Sequence, residues 1–185
     1  MKMLSFLKPN IPIAALFAIL TFICIGGAIQ TYTFVHDIPG IPKPPLYDLL
    51  RPFDLWAPWI FFTIPIDILS YTLGLSRLIH FLPNMDGVCF PLFSITYAYI
   101  VSCWTIYTWR RWLASAENRS TVPIIGAVLG ALLASPSIYT IFNGKIENVI
   151  FAASSIMFTA LIASIYTISI YGIYRMLRIF IQHAE

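Results

Sequence analysis

Long stretches without a charged residue are the feature that most constrains how this chain can fold. The stretches 9–35, 87–109, 120–144 and 148–174 contain no Asp, Glu, Lys, Arg or His. About 20 apolar residues in an α-helix are enough to cross the 30 Å hydrocarbon core of a bilayer. A charged side chain at the bilayer centre costs roughly 2.5–3.5 kcal/mol on insertion scales. These four stretches therefore predict four membrane-spanning helices.

Composition agrees with lipid as the solvent, because 59% of the residues are hydrophobic and only 10% are charged. These values lie outside the range of ordinary soluble domains. The first apolar stretch continues past Gly26 and Gly27 to Phe34, which is longer than the apolar region of a signal peptide. We therefore expect a retained helix and an all-α, polytopic transmembrane helical bundle that occupies residues 1–185 as a single unit.

A fifth stretch decides the number of spans. Residues 55–76 are mostly apolar, but they contain Asp67 near their middle, with Pro58 and Pro65 nearby. A re-entrant segment needs protein or water around its irregular backbone, and a small bundle offers little shielding. We therefore predict five spans, with four spans plus a re-entrant or interfacial segment at 55–81 as the alternative. The five predicted spans are 10–35, 55–80, 87–110, 121–142 and 148–175.

The connection 36–54 contains five prolines, which preclude a continuous helix. Within it, apolar residues alternate with Asp48 and Arg51 over residues 46–53. This pattern fits either one or two helical turns in the headgroup region or a solvated loop.

Lysine and arginine counts give the orientation, because cytoplasmic loops hold the excess of these residues. With five spans, the side that carries the loop 110–120 and the C-terminus has seven such residues against four. With four spans, Lys2 and Lys8 join that side, Lys43 and Arg51 leave it, and the count is again seven against four. Both arrangements predict a cell-membrane protein whose loop 110–120 and C-terminus are cytoplasmic.

Asp67 is the candidate for ion or proton transfer, because ionisable groups at membrane depth usually face the bundle interior or water. Helical spacing puts Thr63, Ser70 and Tyr71 on the same face as Asp67. Low dielectric disfavours a carboxylate, so we expect a neutral acid. It would act either as a relay or as a structural hydrogen-bond donor, for example to the carbonyl that Pro65 leaves free.

Small residues recur every fourth position on the fourth predicted span, at Gly126, Gly130 and Ala134. Such faces allow the backbones of two helices to approach closely in membranes. The pattern predicts packing inside the bundle or, alternatively, a homodimer contact.

Trp109, Arg110, Arg111 and Trp112 follow the third predicted span. Aromatic side chains favour the headgroup level, and guanidinium groups favour anionic lipid. This group therefore predicts an interfacial anchor, with docking to an acidic cytoplasmic partner as the alternative.

Sequence signals for catalysis or cofactor binding are weak. His36, His80 and His183 lie at predicted helix ends or in the tail, and the cysteines have no metal-ligand spacing. No nucleophile motif or phosphate-binding glycine loop occurs. We expect no metal, no cofactor and no nucleic-acid partner. The expected partners are the lipid bilayer and either a second copy or another membrane subunit.

Three function classes remain. The first is a noncatalytic membrane component or accessory subunit. The second is a proton- or cation-coupled transporter or channel centred on Asp67. The third is an intramembrane lipid-modifying enzyme, for which Asp48, Arg51, Asp54 and Asp67 are the available groups. The third class requires at least two of these side chains to meet in one cleft.

Overall fold

A computed structural model gives the fold of the chain. It describes residues 7, 9–35, 46–72, 86–117, 119–135 and 146–182, and it describes only the backbone of residues 31–35, 66–67, 69–70, 86–92 and 146–148. The described residues are predominantly helical and contain no strand, so the predicted all-α class is confirmed.

Six α-helices and one π-helical turn make up the described chain. In chain order they are α1 (Ile11–Val35), α2 (Tyr47–Leu50), α3 (Trp56–Thr72), α4 (Asp86–Thr108), the π turn (Trp109–Leu113), α5 (Thr121–Leu133) and α6 (Ile146–Gln182). Two helical segments, Ile11–Gln30 and Val149–Gln182, are long and apolar enough to cross a membrane, judged by length and composition within the described residues. Thr121–Leu133 is apolar but shorter.

The observed bounds differ from the predicted spans mainly at α6. This helix has 37 residues and continues past Arg175 and Arg178 to Gln182, whereas the predicted membrane span ends at about residue 175. Arginine is a good helix former, so a charge marks where a helix leaves an apolar environment and does not end the helix. The predicted spans 55–80 and 121–142 have their last parts, 73–80 and 136–142, outside the described residues. In the predicted loop 36–54, residues 47–50 form the single turn of α2.

The direction of α4 follows from its contacts with α6. Thr108 packs against Gly172, and the hydroxyl oxygens of Thr105 and Ser169 lie 3.1 Å apart. A step of three residues along α4 thus corresponds to a step of three along α6 in the same direction. The two helices are parallel.

By the same test α5 is antiparallel to α6. Gly126 packs against Ser164, whereas Gly130, one turn later, packs against Ala160. The end of the bundle where α4 finishes and α5 begins is called here the arginine-rich end. Its arginines are Arg110, Arg111, Arg119, Arg175 and Arg178.

α3 also runs parallel to α6. The backbone N–H of Asp54 donates to Ser154 Oγ at 2.8 Å, and the Tyr166 hydroxyl donates to the Phe62 carbonyl at 2.6 Å. α1 runs in the opposite direction, because its Phe22 ring lies 6.3 Å from the Phe158 ring, while Gln30 reaches the segment that contacts Ser154. α1 therefore begins at the arginine-rich end, and both α3 and α4 begin at the opposite end.

These directions bear on the number of spans. Five consecutive spans must alternate, which requires α3 and α4 to be antiparallel, whereas both run parallel to α6. The prediction of five spans is therefore not confirmed. α1, α4, α5 and α6 do alternate.

The core lies where α1, α3, α4 and α6 meet. Its fully buried side chains include Leu20, Phe62, Ala98 and Ile162. α6 is the common element, since α3, α4 and α5 all pack against it.

Candidate functional site

The predicted relay residues on α3 have different surroundings. Thr63 is buried, and its hydroxyl donates to the Ile60 carbonyl at 3.2 Å within the same helix. Tyr71, two turns later, is 82% exposed. The side chains of Asp67 and Ser70 lie outside the described atoms, so a relay centred on Asp67 stays a prediction.

The beginning of α3 is held by side chains from three parts of the chain. Ser154 Oγ accepts the Asp54 N–H at 2.8 Å, Gln30 Oε1 accepts the Leu55 N–H at 3.0 Å, and Asp54 Oδ1 accepts the Ala57 N–H at 3.3 Å. The first N–H groups of a helix have no partner within the helix, so these bonds satisfy donors that burial would otherwise leave unpaired.

Gln30 connects α1 to this segment through both ends of its amide. Besides accepting from Leu55, its Nε2 donates to the carbonyls of Leu50 at 3.2 Å and Phe53 at 2.5 Å. We expect Gln30→Leu to lower the free energy of unfolding by about 2–3 kcal/mol, because it leaves the Leu55 N–H and the Phe53 carbonyl without their side-chain partner.

The measurement is the thermal unfolding midpoint in detergent, combined with limited proteolysis of residues 46–54, which should become faster. Gln182→Leu, at an exposed position near the end of α6, is the control and should leave both unchanged. Equal behaviour of the two variants would contradict a structural role for Gln30.

The beginning of α3 also bears on the alternative prediction of a lipid-modifying enzyme. Asp54 is buried, and its carboxylate caps α3, whereas Asp48 and Arg51 are exposed. The Asp67 side chain is not described. The structure therefore does not bring the described members of the predicted set into one buried cleft.

Two tyrosines link α3, α4 and α6 in the middle of the bundle. Pro65 has no N–H, so the carbonyl of Phe61 loses its helical donor. At the next residue, the Phe62 carbonyl accepts a hydrogen bond from the Tyr166 hydroxyl at 2.6 Å. The Tyr97 hydroxyl donates to the Tyr166 hydroxyl at 3.4 Å. The Phe62 and Tyr166 rings are stacked at 6.2 Å. The tyrosines therefore stabilise α3 next to its proline.

The predicted small-residue face on α5 lies against α6. Gly126, Gly130 and Ala134 are all buried. A Cβ at Gly130 would lie 2.6 Å from Ala160 Cα and 2.7 Å from the Thr159 oxygen. These distances are too short for non-bonded atoms, so the two backbones approach as closely as glycine permits.

Arg111, at the arginine-rich end, is exposed and contacts two aromatic rings. Its guanidinium lies 5.6 Å from the centre of the Tyr107 ring and 5.7 Å from that of Trp112, and Nη1 donates to the Tyr107 hydroxyl at 2.5 Å. Trp104 packs against both rings. The other two predicted anchor residues have different surroundings, because Trp109 is half-buried and Arg110 is exposed.

Among the described residues, no three His, Cys, Asp or Glu side chains come together in a group that could hold a metal ion. Cys24 and Cys103 are buried free thiols. The three histidines lie outside the described part of the chain. The hydroxyls of Thr63, Ser102 and Ser154 donate to carbonyls of their own helices. Those of Thr105, Ser164 and Tyr166 bond to a neighbouring helix.

Sequence reasoning did not single out Gln30, Tyr166 or Arg175. Gln30 carries a usable signal, since it is an amide inside a long charge-free stretch. Tyr166 lies among other polar and aromatic residues of α6, and nothing in the sequence distinguishes it. Comparison of the chain with protein-family models, with curated proteins and with solved structures finds no match.

Proposed function

We propose that this chain is a multi-pass membrane protein in which α1, α4, α5 and α6 cross the bilayer. The support is their alternating direction and the two segments that meet the length and composition of a span. The connection 36–85 then begins and ends on the same side of the membrane, as in the four-span alternative predicted from the sequence. α3 inserts beside α4 and α6 without adding a crossing.

The spacing of polar groups along α6 supports this arrangement. Asp54 and Ser154 meet near one end of the bundle, and Arg175 lies near the other. The 21 residues from Ser154 to Arg175 rise about 32 Å in an α-helix, close to the 30 Å hydrocarbon core of a bilayer. The lipid-facing surface would include the exposed aliphatic side chains of α5, which are Ile124, Ile125, Val128, Leu129, Leu132 and Leu133.

The arginine-rich end is the cytoplasmic end in this proposal. Four spans put Lys2 and Lys8 on the same side as the five arginines, which gives seven basic residues against four. The first helix then also obeys the charge rule, which it would violate with five spans.

The proposed role of the chain in the membrane is that of a noncatalytic subunit of a larger assembly. The observation that carries this proposal is that three buried or half-buried polar side chains of α6 form hydrogen bonds to other parts of the bundle. Ser154, Ser164 and Tyr166 each bond α6 to another helix or its approach, at 2.8, 3.0 and 2.6 Å. Polar groups in such a role make a rigid scaffold, whereas catalysis needs an acid, base or nucleophile open to a substrate.

Native electrophoresis after mild solubilisation tests the subunit proposal. We expect a discrete band well above the 20.9 kDa chain, which dissociates to the single chain in denaturing detergent. Co-expression of two differently tagged copies then separates a homo-oligomer, in which the tags co-purify, from an assembly with another protein. A protein that migrates only as the monomer, in several mild detergents, would contradict the proposal.

A further inference from the structure

The arginine-rich end carries positive charge that the described chain does not neutralise. None of its five arginines forms an ion pair with a described residue, and the only described acid nearby is the exposed Glu117. Arg111 is instead held by aromatic rings and a tyrosine hydroxyl. Concentrated positive charge of this kind favours an anionic ligand.

Two of the arginines lie just beyond the last contact between α4 and α6. Thr108 and Gly172 are in contact across this interface. Arg175 lies three residues further along α6, which is about one turn. Arg111 lies three residues after Thr108, within the π turn. Both residues therefore follow the point where the two helices touch.

Buried donors at this level lack partners. Arg175 Nε and Thr108 Oγ1 are both inaccessible to solvent and have no hydrogen-bond partner among the described residues. An unpaired buried donor is costly, and the cost is greater when the group is charged. A guanidinium presents donors in a planar fork that matches the oxygens of a phosphate. The vacant Arg175 donor thus points to a phosphate group as the ligand.

We infer that Arg175 and Arg111, at the arginine-rich end of the α4–α6 contact, bind the phosphate of an anionic phospholipid headgroup. Arg175 donates to the phosphate oxygens, and Arg111 contributes charge from the α4 side. The ring cluster of Trp104, Tyr107 and Trp112 lies at the headgroup level, where amphipathic aromatic side chains are favoured. Basic pockets between cytoplasmic helix ends are recognised sites for such lipids. The inference rests on the membrane arrangement proposed above.

Thermal unfolding of the purified full-length chain in a neutral detergent tests the site. Phosphatidylglycerol should raise the unfolding midpoint more than equal amounts of zwitterionic phosphatidylcholine, and added salt should reduce the difference. In Arg175→Gln, roughly tenfold more phosphatidylglycerol should be needed for the same rise. Arg119→Gln, which removes an exposed arginine of the loop, is the matched control and should respond like the wild type.

A second variant and two other ligands complete the test. If Arg175→Gln does not fold, Arg111→Gln replaces it and should also weaken the response. An unchanged phosphatidylglycerol response in the variants would overturn the inference. An equal rise with inorganic phosphate would overturn the lipid assignment. An Arg175-dependent rise with an acidic peptide alone would assign the site to a protein partner. Native electrophoresis of the same variants distinguishes this failure from failure of the subunit proposal, because the complex should persist when lipid binding is lost.

Discussion

Gly130→Leu is expected to destabilise the bundle by about 3 kcal/mol, at the upper end of what overpacking costs. Even the first carbon of the new side chain would lie 2.6 Å from Ala160 Cα and 2.9 Å from Ala160 N. These are backbone atoms and cannot rotate away, so α5 must separate from α6. The gain of up to 1 kcal/mol from replacing a helical glycine does not offset this loss.

The measurement is the thermal unfolding midpoint in detergent, together with the monodisperse fraction in size-exclusion chromatography. Val128→Ile is the control, because it adds bulk to the same helix at a side chain that is 53% exposed. We expect this control to unfold like the wild type. A Gly130→Leu protein as stable as the control would show that α5 does not pack on α6 through this face.

An all-or-none difference is expected in the accessibility of two introduced cysteines. In a background with Cys24, Cys89 and Cys103 replaced by alanine, Arg51→Cys should react with a membrane-impermeant thiol reagent in intact cells. Ser115→Cys should react only after lysis. Both positions are exposed on the protein and lie at opposite ends of the bundle, so burial does not explain the difference.

This experiment distinguishes the two span numbers directly. Five spans put residues 51 and 115 on the same cytoplasmic side, where both cysteines would be protected in intact cells. Four spans put them on opposite sides. Protection of both cysteines would therefore contradict the four-span proposal. Labelling of Ser115→Cys alone would show that the orientation is the reverse of the one proposed.

Apolar stretches bounded by charged residues predicted the positions of two helices closely. The charge-free stretch 9–35 corresponds closely to α1, and the stretch that begins at residue 120 corresponds to the start of α5. The last predicted span ends at about residue 175 because Arg175 and Arg178 were taken as the membrane boundary, and α6 continues seven residues beyond it. A helix can continue into water or headgroups with its hydrogen bonds intact, so charge locates the membrane boundary and leaves the helix end undetermined.

The direction of α3 could not be predicted from periodicity. The pattern of α3 is compatible with a helix that runs either way, and the lysine and arginine counts were equal in both arrangements. Direction depends on contacts between residues far apart in sequence, such as Asp54 with Ser154 and Phe62 with Tyr166. The same reason explains why Arg175 was overlooked. Its significance comes from a buried Nε without a partner, which depends on the packing of α4 against α6.

The central position of α6 has a consequence for the order in which the protein can assemble during synthesis. α1, α3 and α4 contact one another and can associate as they leave the ribosome, but the main contact of α5 is with α6, which is made after it. In the proposed membrane arrangement, the glycine face of α5 faces lipid or the insertion machinery until α6 is in place. The stage between release of α5 and insertion of α6 is therefore when the nascent chain is most exposed to quality-control proteases. Slower translation of α6 should increase its degradation without altering the folded protein.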